Sequence, residues 1–107
     1  MKKKRVERYY NEKGELGVII SPGYGGGWST WYNKEIAYDK RIIEKFLEIG
    51  VCAELCDYVE SLGYLRPHLY FNKPELVFIP KGTLFCITEY DGYESIETPK
   101  TLGMMKA

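Results

Sequence analysis

The stretch LFCITEYDGYESIE (residues 84–97) decides most about the fold, because it places Asp91-Gly92 between two β-prone runs. Leu84 to Tyr90 forms the first run and Tyr93 to Glu97 the second. An Asp-Gly pair between such runs is the strongest short hairpin pattern in a sequence, since both central residues of the favoured turn have positive φ. The sequence therefore predicts a β-hairpin with Asp91 and Gly92 at the centre of a type I′ turn.

Further β-prone runs lie on both sides of the middle of the chain. Glu75 to Ile79 is a strong strand candidate before the turn at Pro80-Lys81-Gly82, and His68 to Phe71 is a weaker one. Near the start, RVERYY (residues 5–10) and LGVII (residues 16–20) flank a polar segment that contains Gly14. Two β-prone runs around such a segment predict an N-terminal hairpin.

The middle of the chain shows helical periodicity in two consecutive segments, 39–49 and 52–62. Asp39 is suited to cap the first helix, while Gly50 and Gly63 stand where glycines commonly end helices. The packing side chains are expected to be Ile43, Phe46, Leu47, Leu55 and Val59. The predicted fold is α+β: a mainly antiparallel sheet with two short helices packed on one face, in a single domain (1–107) with a loosely docked tail at 99–107.

Composition excludes several functional classes. Fifteen basic residues balance fifteen acidic ones, so no overall field favours nucleic acid or an anionic membrane. No window approaches the length of a membrane span, and the N-terminus lacks the apolar run of a signal peptide. Three cysteines without scaffold-like spacing fit reduced thiols, which predicts a cytoplasmic location.

Candidate catalytic or metal-binding side chains have simpler structural interpretations. Cys52 and Cys56 share one helix face with core positions, so they are expected to be buried apolar groups rather than a metal pair. His68 has no partner carboxylate that the sequence can place beside it. The acidic cluster of the last hairpin (Glu89, Asp91, Glu94 and Glu97) would suit a divalent cation, but an exposed polar hairpin end explains it with fewer assumptions. No catalytic residue, metal or cofactor is therefore predicted.

The segment SPGYGGGWSTW (residues 21–31), here called the Gly-aromatic loop, is the most informative functional feature. It lacks the Gly-Lys-Ser/Thr of a P-loop. It also lacks the final glycine of a dinucleotide fingerprint. Glycines let backbone N–H groups approach a ligand closely, and indoles supply flat surfaces for stacking. The loop is thus either a backbone nest for the phosphate of a nucleotide or a tight structural turn packed under two indoles.

The ligand-binding interpretation names a specific set of residues. Backbone N–H groups from Gly25 to Gly27 would bind phosphate and an indole would stack on a base, while Arg66 or Arg8 would complete the pocket. Glu89 or Glu94 would accept hydrogen bonds from a ribose if either points towards the loop. The candidate ligand-binding residues are Tyr24, Gly25, Gly26, Gly27, Trp28, Ser29, Thr30, Trp31, Arg66 and Glu89.

Two blocks of the sequence carry a resemblance to a known family. GYGGGWSTW (residues 23–31) and PKGTLFCITEYDGYESIE (residues 80–97) resemble a family of small bacteriophage and prophage proteins. Their pattern is a strand, SPGYGxGWSTW, a helical middle and a late PxGTxFxIxEYDGxES segment. The resemblance implies a viral origin and action in the host cytoplasm. Small non-enzymatic phage proteins are often counter-defence factors, some of which are oligomers that sequester nucleotide immune signals.

Two functions are consequently expected from the sequence. The first is a non-enzymatic phage protein, a homo-oligomer, that binds or sequesters a nucleotide second messenger. The second is a protein-interaction module that binds and inhibits a host defence protein through exposed aromatic side chains. A concave pocket lined by Trp, Tyr and Arg would favour the first, whereas an exposed apolar patch would favour the second.

Overall fold

The computed structural model of the protein describes residues 6–23, 26–67 and 74–99. The predictions for Met1–Arg5, Tyr24, Gly25, the strand His68–Phe71 and residues 100–107 of the tail fall outside these ranges. The regular elements are β1 (Leu16–Ile20), α1 (Lys40–Ile49), α2 (Ala53–Ser61), β2 (Glu75–Ile79), β3 (Cys86–Tyr90) and β4 (Tyr93–Glu97), with short 3₁₀ helices at Ser29–Trp31 and Lys34–Ala37. This content confirms the predicted α+β class.

The strands form two antiparallel two-stranded sheets. β1 pairs with β2, so that Leu16 lies opposite Ile79 and Ile20 opposite Glu75. β3 pairs with β4 across the predicted hairpin, from Cys86 opposite Glu97 to Tyr90 opposite Tyr93. The antiparallel pairing was expected, but its division between two sheets was not. A backbone hydrogen bond from Glu94 N–H to the Ser21 carbonyl, at 2.8 Å, joins β4 to the residue that follows β1.

The expected N-terminal hairpin is present only as isolated pairs. Tyr10 pairs with Leu16, and the Asn11 side chain holds the intervening turn by accepting the Glu15 N–H at 2.8 Å. Arg8 instead pairs with Asp39, next to a bond of 2.8 Å from Lys40 N–H to the Glu7 carbonyl. Glu7 and Arg8 therefore contact the start of α1, whereas Tyr9 and Tyr10 stay beside β1, and β1 takes β2 as its regular partner.

Both helices begin and end close to the predicted residues. Asp39 caps α1 by accepting the Arg41 N–H at 3.0 Å. Gly50, with φ 73°, ends α1 by donating its N–H to the Phe46 carbonyl at 2.8 Å. Gly63, with φ 97°, follows α2. The glycine stops and the acidic cap thus act as expected.

Asp39 also fixes the chain that follows α2. It is buried, its carboxylate receives two Arg41 guanidinium bonds of 3.1 and 2.7 Å, and the Tyr64 hydroxyl donates to it at 2.8 Å. Burial alone would raise the pKa of Asp39, but the bonds from Arg41 and Tyr64 outweigh it and hold the pKa below its ordinary value. Asp39 is therefore ionised at neutral pH and anchors residue 64 to the start of α1.

β1 lies between two apolar clusters and is buried along its whole length. Ile19 joins a cluster formed largely by the helices, whose other members are Trp28, Ile36, Ile42, Ile43, Leu55 and Val59. Leu16, Val18 and Ile20 join Ala37 and Ile79 in a second cluster. Phe85, Ile87 and Ile96 of the β3–β4 hairpin region pack against this second cluster. The helices thus occupy one face of β1 and the hairpin packs on the other.

One side chain of α1 is not packed as predicted. Leu47 was expected to lie in the core, but it is 56% exposed because it lies at the edge of the apolar stripe of α1.

The two neighbouring cysteines are both free thiols. Cys56 is buried on the core face of α2, and Cys52 is half-buried. Burial raises the pKa of the Cys56 thiol. Among the described residues, no helix has the length and apolar character needed to cross a membrane.

Candidate functional site

A buried carboxylate from β4 organises the Gly-aromatic loop. The Glu94 side chain is fully enclosed. Its Oε1 accepts the Ser21 N–H at 2.9 Å, and its Oε2 accepts the N–H groups of Trp28 at 2.8 Å and Thr30 at 2.9 Å. The Thr30 hydroxyl adds a bond of 2.5 Å to the same Oε2. One side chain therefore satisfies three backbone donors and a hydroxyl of the loop.

This arrangement has the geometry of an anion site whose anion is part of the protein. Converging backbone N–H groups commonly bind phosphate or carboxylate, and here the Glu94 carboxylate is already in that position. A phosphate bound by the same donors would have to displace Glu94 and would be repelled by its charge. The backbone N–H groups of Ser21, Trp28 and Thr30 therefore hold the loop in place by binding Glu94. Gly25, one of the donors predicted for phosphate, lies outside the described residues.

The two tryptophans of the loop have opposite environments. Trp28 is fully buried in the cluster with Ile19 and Ile36, and its indole N–H donates to the Ile36 carbonyl at 3.3 Å. Trp31 is 45% exposed. The expectation that Trp28 offers an indole face to a ligand is therefore corrected, because this ring is enclosed by the core. Trp31 alone keeps an accessible face.

Gly27 is required by its close contact with the side chains of Thr30 and Trp31. A Cβ atom at Gly27 would lie 2.7 Å from Trp31 Cδ1 and 2.7 Å from Thr30 Oγ1, closer than such atoms approach in real structures. Ser29 is buried beside it, and the Ser21 hydroxyl donates to the Gly26 carbonyl at 3.1 Å. Gly27 thus makes room for side chains of its own loop.

The tip of the β3–β4 hairpin presses against the same loop. Asp91 has φ 49° and Gly92 has φ 86°, which confirms the predicted positive-φ turn. A Cβ atom at Gly92 would lie 2.3 Å from the Gly26 backbone nitrogen. Glu89 accepts the Gly92 N–H at 2.8 Å, so its carboxylate caps the turn. Gly92 is therefore needed for the contact between hairpin and loop as well as for the turn.

Replacing Gly92 tests this contact, and Gly82 provides a matched control. Both glycines have positive φ, 86° and 84°, but no described heavy atom lies within 4 Å of a Cβ atom built on Gly82. We expect Gly92→Ala to lower the free energy of unfolding by about 2 kcal/mol more than Gly82→Ala, since forced overpacking costs about 1–3 kcal/mol. Urea unfolding of the two variants measures the difference. Equal losses would show that the hairpin does not press on Gly26.

The basic residues proposed to complete a pocket have partners inside the protein. Arg66 forms an ion pair with Asp57 and lies 3.9 Å from Glu60, both on α2. The Arg8 guanidinium lies 5.1 Å from the centre of the Tyr38 ring, within the range of a cation–π contact. Neither interaction involves the Gly-aromatic loop.

A cavity that the sequence did not indicate lies at the turn before β1. It has a volume of about 420 Å³ and is lined by Tyr9, Tyr10, Asn11, Glu12 and Lys13. Its walls come from one short segment of the chain. Among the described residues, no group of three His, Cys, Asp or Glu side chains is placed to hold a metal ion. His68 lies outside the described ranges.

The exposed end of the hairpin carries part of the acidic cluster expected from the sequence and, beside it, two tyrosines that the sequence pattern did not indicate. Tyr90 is 77% exposed and Tyr93, directly opposite it, is 38% exposed. Glu89 and Asp91, next to Tyr90 in the chain, are exposed as well. The strand pattern predicted which residues form the hairpin, but a two-residue period alone does not tell which face meets the core.

The chain matches no protein-family model, no curated protein and no solved structure.

Proposed function

We propose that this protein is a non-catalytic binding protein that docks on another protein through the exposed aromatic end of the β3–β4 hairpin. The observation that carries the proposal is the position of Glu94. Because its carboxylate already binds the backbone N–H groups of Ser21, Trp28 and Thr30, the loop supports the hairpin. The end of that hairpin exposes Tyr90 and Tyr93. Tyrosine is enriched at protein interfaces, since it combines a large contact area with a polar hydroxyl.

The charges around these tyrosines indicate the kind of partner surface. Glu89 and Asp91 are exposed on either side of Tyr90 in the chain, so an anionic ligand would be repelled at the hairpin end. A partner surface rich in Arg or Lys would pair with the carboxylates and place cations over the tyrosine rings. The resemblance to small phage proteins supports a host defence protein, in the host cytoplasm, as the partner.

Affinity capture with matched variants tests the proposal. The full-length protein is immobilised and bacterial lysate proteins bound to it are quantified by mass spectrometry. The Tyr90→Ala/Tyr93→Ala variant should lose a specific partner about tenfold or more, because central aromatic residues contribute about 2 kcal/mol or more to an interface. The control is Tyr10→Ala/Phe78→Ala, which removes two aromatic side chains that are 50% and 40% exposed elsewhere.

The purified partner then allows the charge argument to be tested directly. Binding measured by calorimetry should weaken as ionic strength rises, because exposed charge pairs are screened by salt. If both double variants retain the same bound proteins, the hairpin end is not the docking surface.

A nucleotide-type ligand remains a second candidate because Trp31 is 45% exposed. A base would stack on Trp31, and the contribution of such stacking is about 1–3 kcal/mol per base. Calorimetric titration with cyclic dinucleotides and ADP-ribose compounds tests this function. Binding that is lost in Trp31→Ala but retained in the Tyr90→Ala/Tyr93→Ala variant would support sequestration of a nucleotide signal over protein docking.

A further inference from the structure

In the described part of the chain, the outer edge of β3 has no backbone hydrogen bond at Ile87 or Glu89. The backbone N–H of Glu94 points away from β3 and donates to the Ser21 carbonyl. Glu94 lies opposite Glu89 in the hairpin. These two residues therefore exchange no backbone hydrogen bonds and form a non-hydrogen-bonded pair. Glu89 therefore directs its N–H and C=O groups away from β4, and so does Ile87 two residues earlier. Within residues 6–23, 26–67 and 74–99, no backbone group bonds to these outward groups of Ile87 and Glu89.

The other sheet edges of the described structure are protected. The outer side of β4 is joined to Ser21, and β2 is flanked by Pro74 and Pro80, which have no N–H to donate. β3 contains no proline, no lysine and no bulge, although these are the features that usually protect an exposed edge. Such an edge is a template for pairing with another strand.

We propose that β3 pairs with β3 of a second copy of this chain, antiparallel about a twofold axis at Thr88, to form a continuous four-stranded sheet. This register pairs all five residues of the strand. Thr88 lies opposite Thr88 of the partner subunit, and Ile87 lies opposite Glu89 of the partner subunit. The outward N–H and C=O groups of Ile87 and Glu89 then meet their counterparts, since these are the positions that exchange hydrogen bonds in an antiparallel pair.

The distribution of charge favours a second copy as the occupant of this edge. Glu89 is the only acidic or basic residue in β3, and the twofold register places it opposite an isoleucine rather than opposite a like charge. The whole chain has equal numbers of basic and acidic residues, so no net charge repels two copies. A sheet of four strands is also more stable than a hairpin of two. The twofold register places Tyr90, one of the proposed docking residues, opposite Cys86 of the partner subunit, so the dimer is tested with variants of Thr88 and Ser95 that keep both docking tyrosines.

Disulfide cross-linking tests the register. In a Cys86→Ser background, Thr88→Cys places two thiols at a non-hydrogen-bonded pair with a Cα separation of about 4.5 Å, which is within disulfide range. The matched control is Ser95→Cys in the same background. Ser95 lies opposite Thr88 on β4, so its two copies would be about 14 Å apart, three strand spacings. Under mild oxidation we expect Thr88→Cys to give a covalent dimer at least about tenfold faster than Ser95→Cys, because pairing raises the effective thiol concentration.

A second pair of variants tests the dimer itself by native mass spectrometry. Thr88→Glu would set two carboxylates opposite each other on the axis and should convert the dimer to monomer. Ser95→Glu should leave the dimer intact. The two variants lose the same 3.0 Å contact between the Thr88 and Ser95 hydroxyls, so a difference between them reports on the edge and not on folding. A wild-type protein that is monomeric at high concentration, or equal cross-linking rates for the two cysteine variants, would overturn the proposal.

Discussion

Glu94→Ala should lower the free energy of unfolding by about 4 kcal/mol or more, since each buried donor left without an acceptor costs about 1–3 kcal/mol. Three backbone N–H groups and the Thr30 hydroxyl depend on this one carboxylate. A loss of that size is a large part of the about 5–15 kcal/mol that stabilises a typical domain. Urea or thermal unfolding monitored by circular dichroism measures it. The variant is expected to be partly unfolded at physiological temperature.

Glu89→Ala is the control, because Glu89 also accepts one backbone N–H, from Gly92 at 2.8 Å, but lies on the surface. We expect it to cost about 1 kcal/mol, the usual net value of one hydrogen bond. Glu94→Gln should fall between the two variants. Its amide NH₂ would face at least one N–H donor where the carboxylate now accepts, while its oxygen would keep the rest. Similar losses of unfolding free energy for Glu94→Ala and Glu89→Ala would show that the Glu94 carboxylate does not hold the loop.

The elements whose patterns lie within a few neighbouring residues could be predicted from the sequence. Asp39 and Gly50 bound α1 as expected, and Asp91-Gly92 form the expected turn. Each of these depends on a local preference: a side chain that accepts a nearby N–H, or a residue that tolerates positive φ. These preferences do not require knowledge of the tertiary structure.

The candidate site could not be predicted in the same way, because it is built by long-range contacts. Glu94 is 73 residues from Ser21 in the sequence, and nothing local shows which carboxylate of the hairpin turns inward. The inward one was considered as a ribose acceptor, but it binds the backbone of the loop. The loop also has no regular period, so the sequence could not show that Trp28 enters the core while Trp31 remains exposed.

The Glu94 carboxylate and the tip of the β3–β4 hairpin hold the Gly-aromatic loop in close contact with its neighbours, which explains why glycines occur beside large aromatic residues. Gly27 makes room for Trp31 and Thr30, and Gly92 allows the turn to approach Gly26. The loop, β4 and the turn therefore form one interlocked unit that packs against β1. Its rigidity favours binding by a preorganised surface, since less conformational entropy is lost when a partner docks.

Trp28→Ala should cost about 3–5 kcal/mol of unfolding free energy, the usual range for truncating a buried Trp or Phe. The substitution leaves a cavity beside Ile19 and Ile36 and removes the indole donor to the Ile36 carbonyl, a bond of 3.3 Å. This expectation replaces the sequence-based interpretation of Trp28 as a ligand-binding residue, because the ring is enclosed by the core. Thermal unfolding measures it, and a fall in Tm of more than about 10 °C is expected for a domain of this size.

Trp31→Ala is the matched control, because the same side chain is removed from the same loop at a position that is 45% exposed. It should cost about 1 kcal/mol, since its ring contributes less buried apolar area. Trp28→Phe should lie between the two, as it keeps most of the buried volume but loses the donor to Ile36. If Trp28→Ala and Trp31→Ala were equally stable, the burial of Trp28 would not be what holds the loop on the core, and Glu94 alone would have to position it.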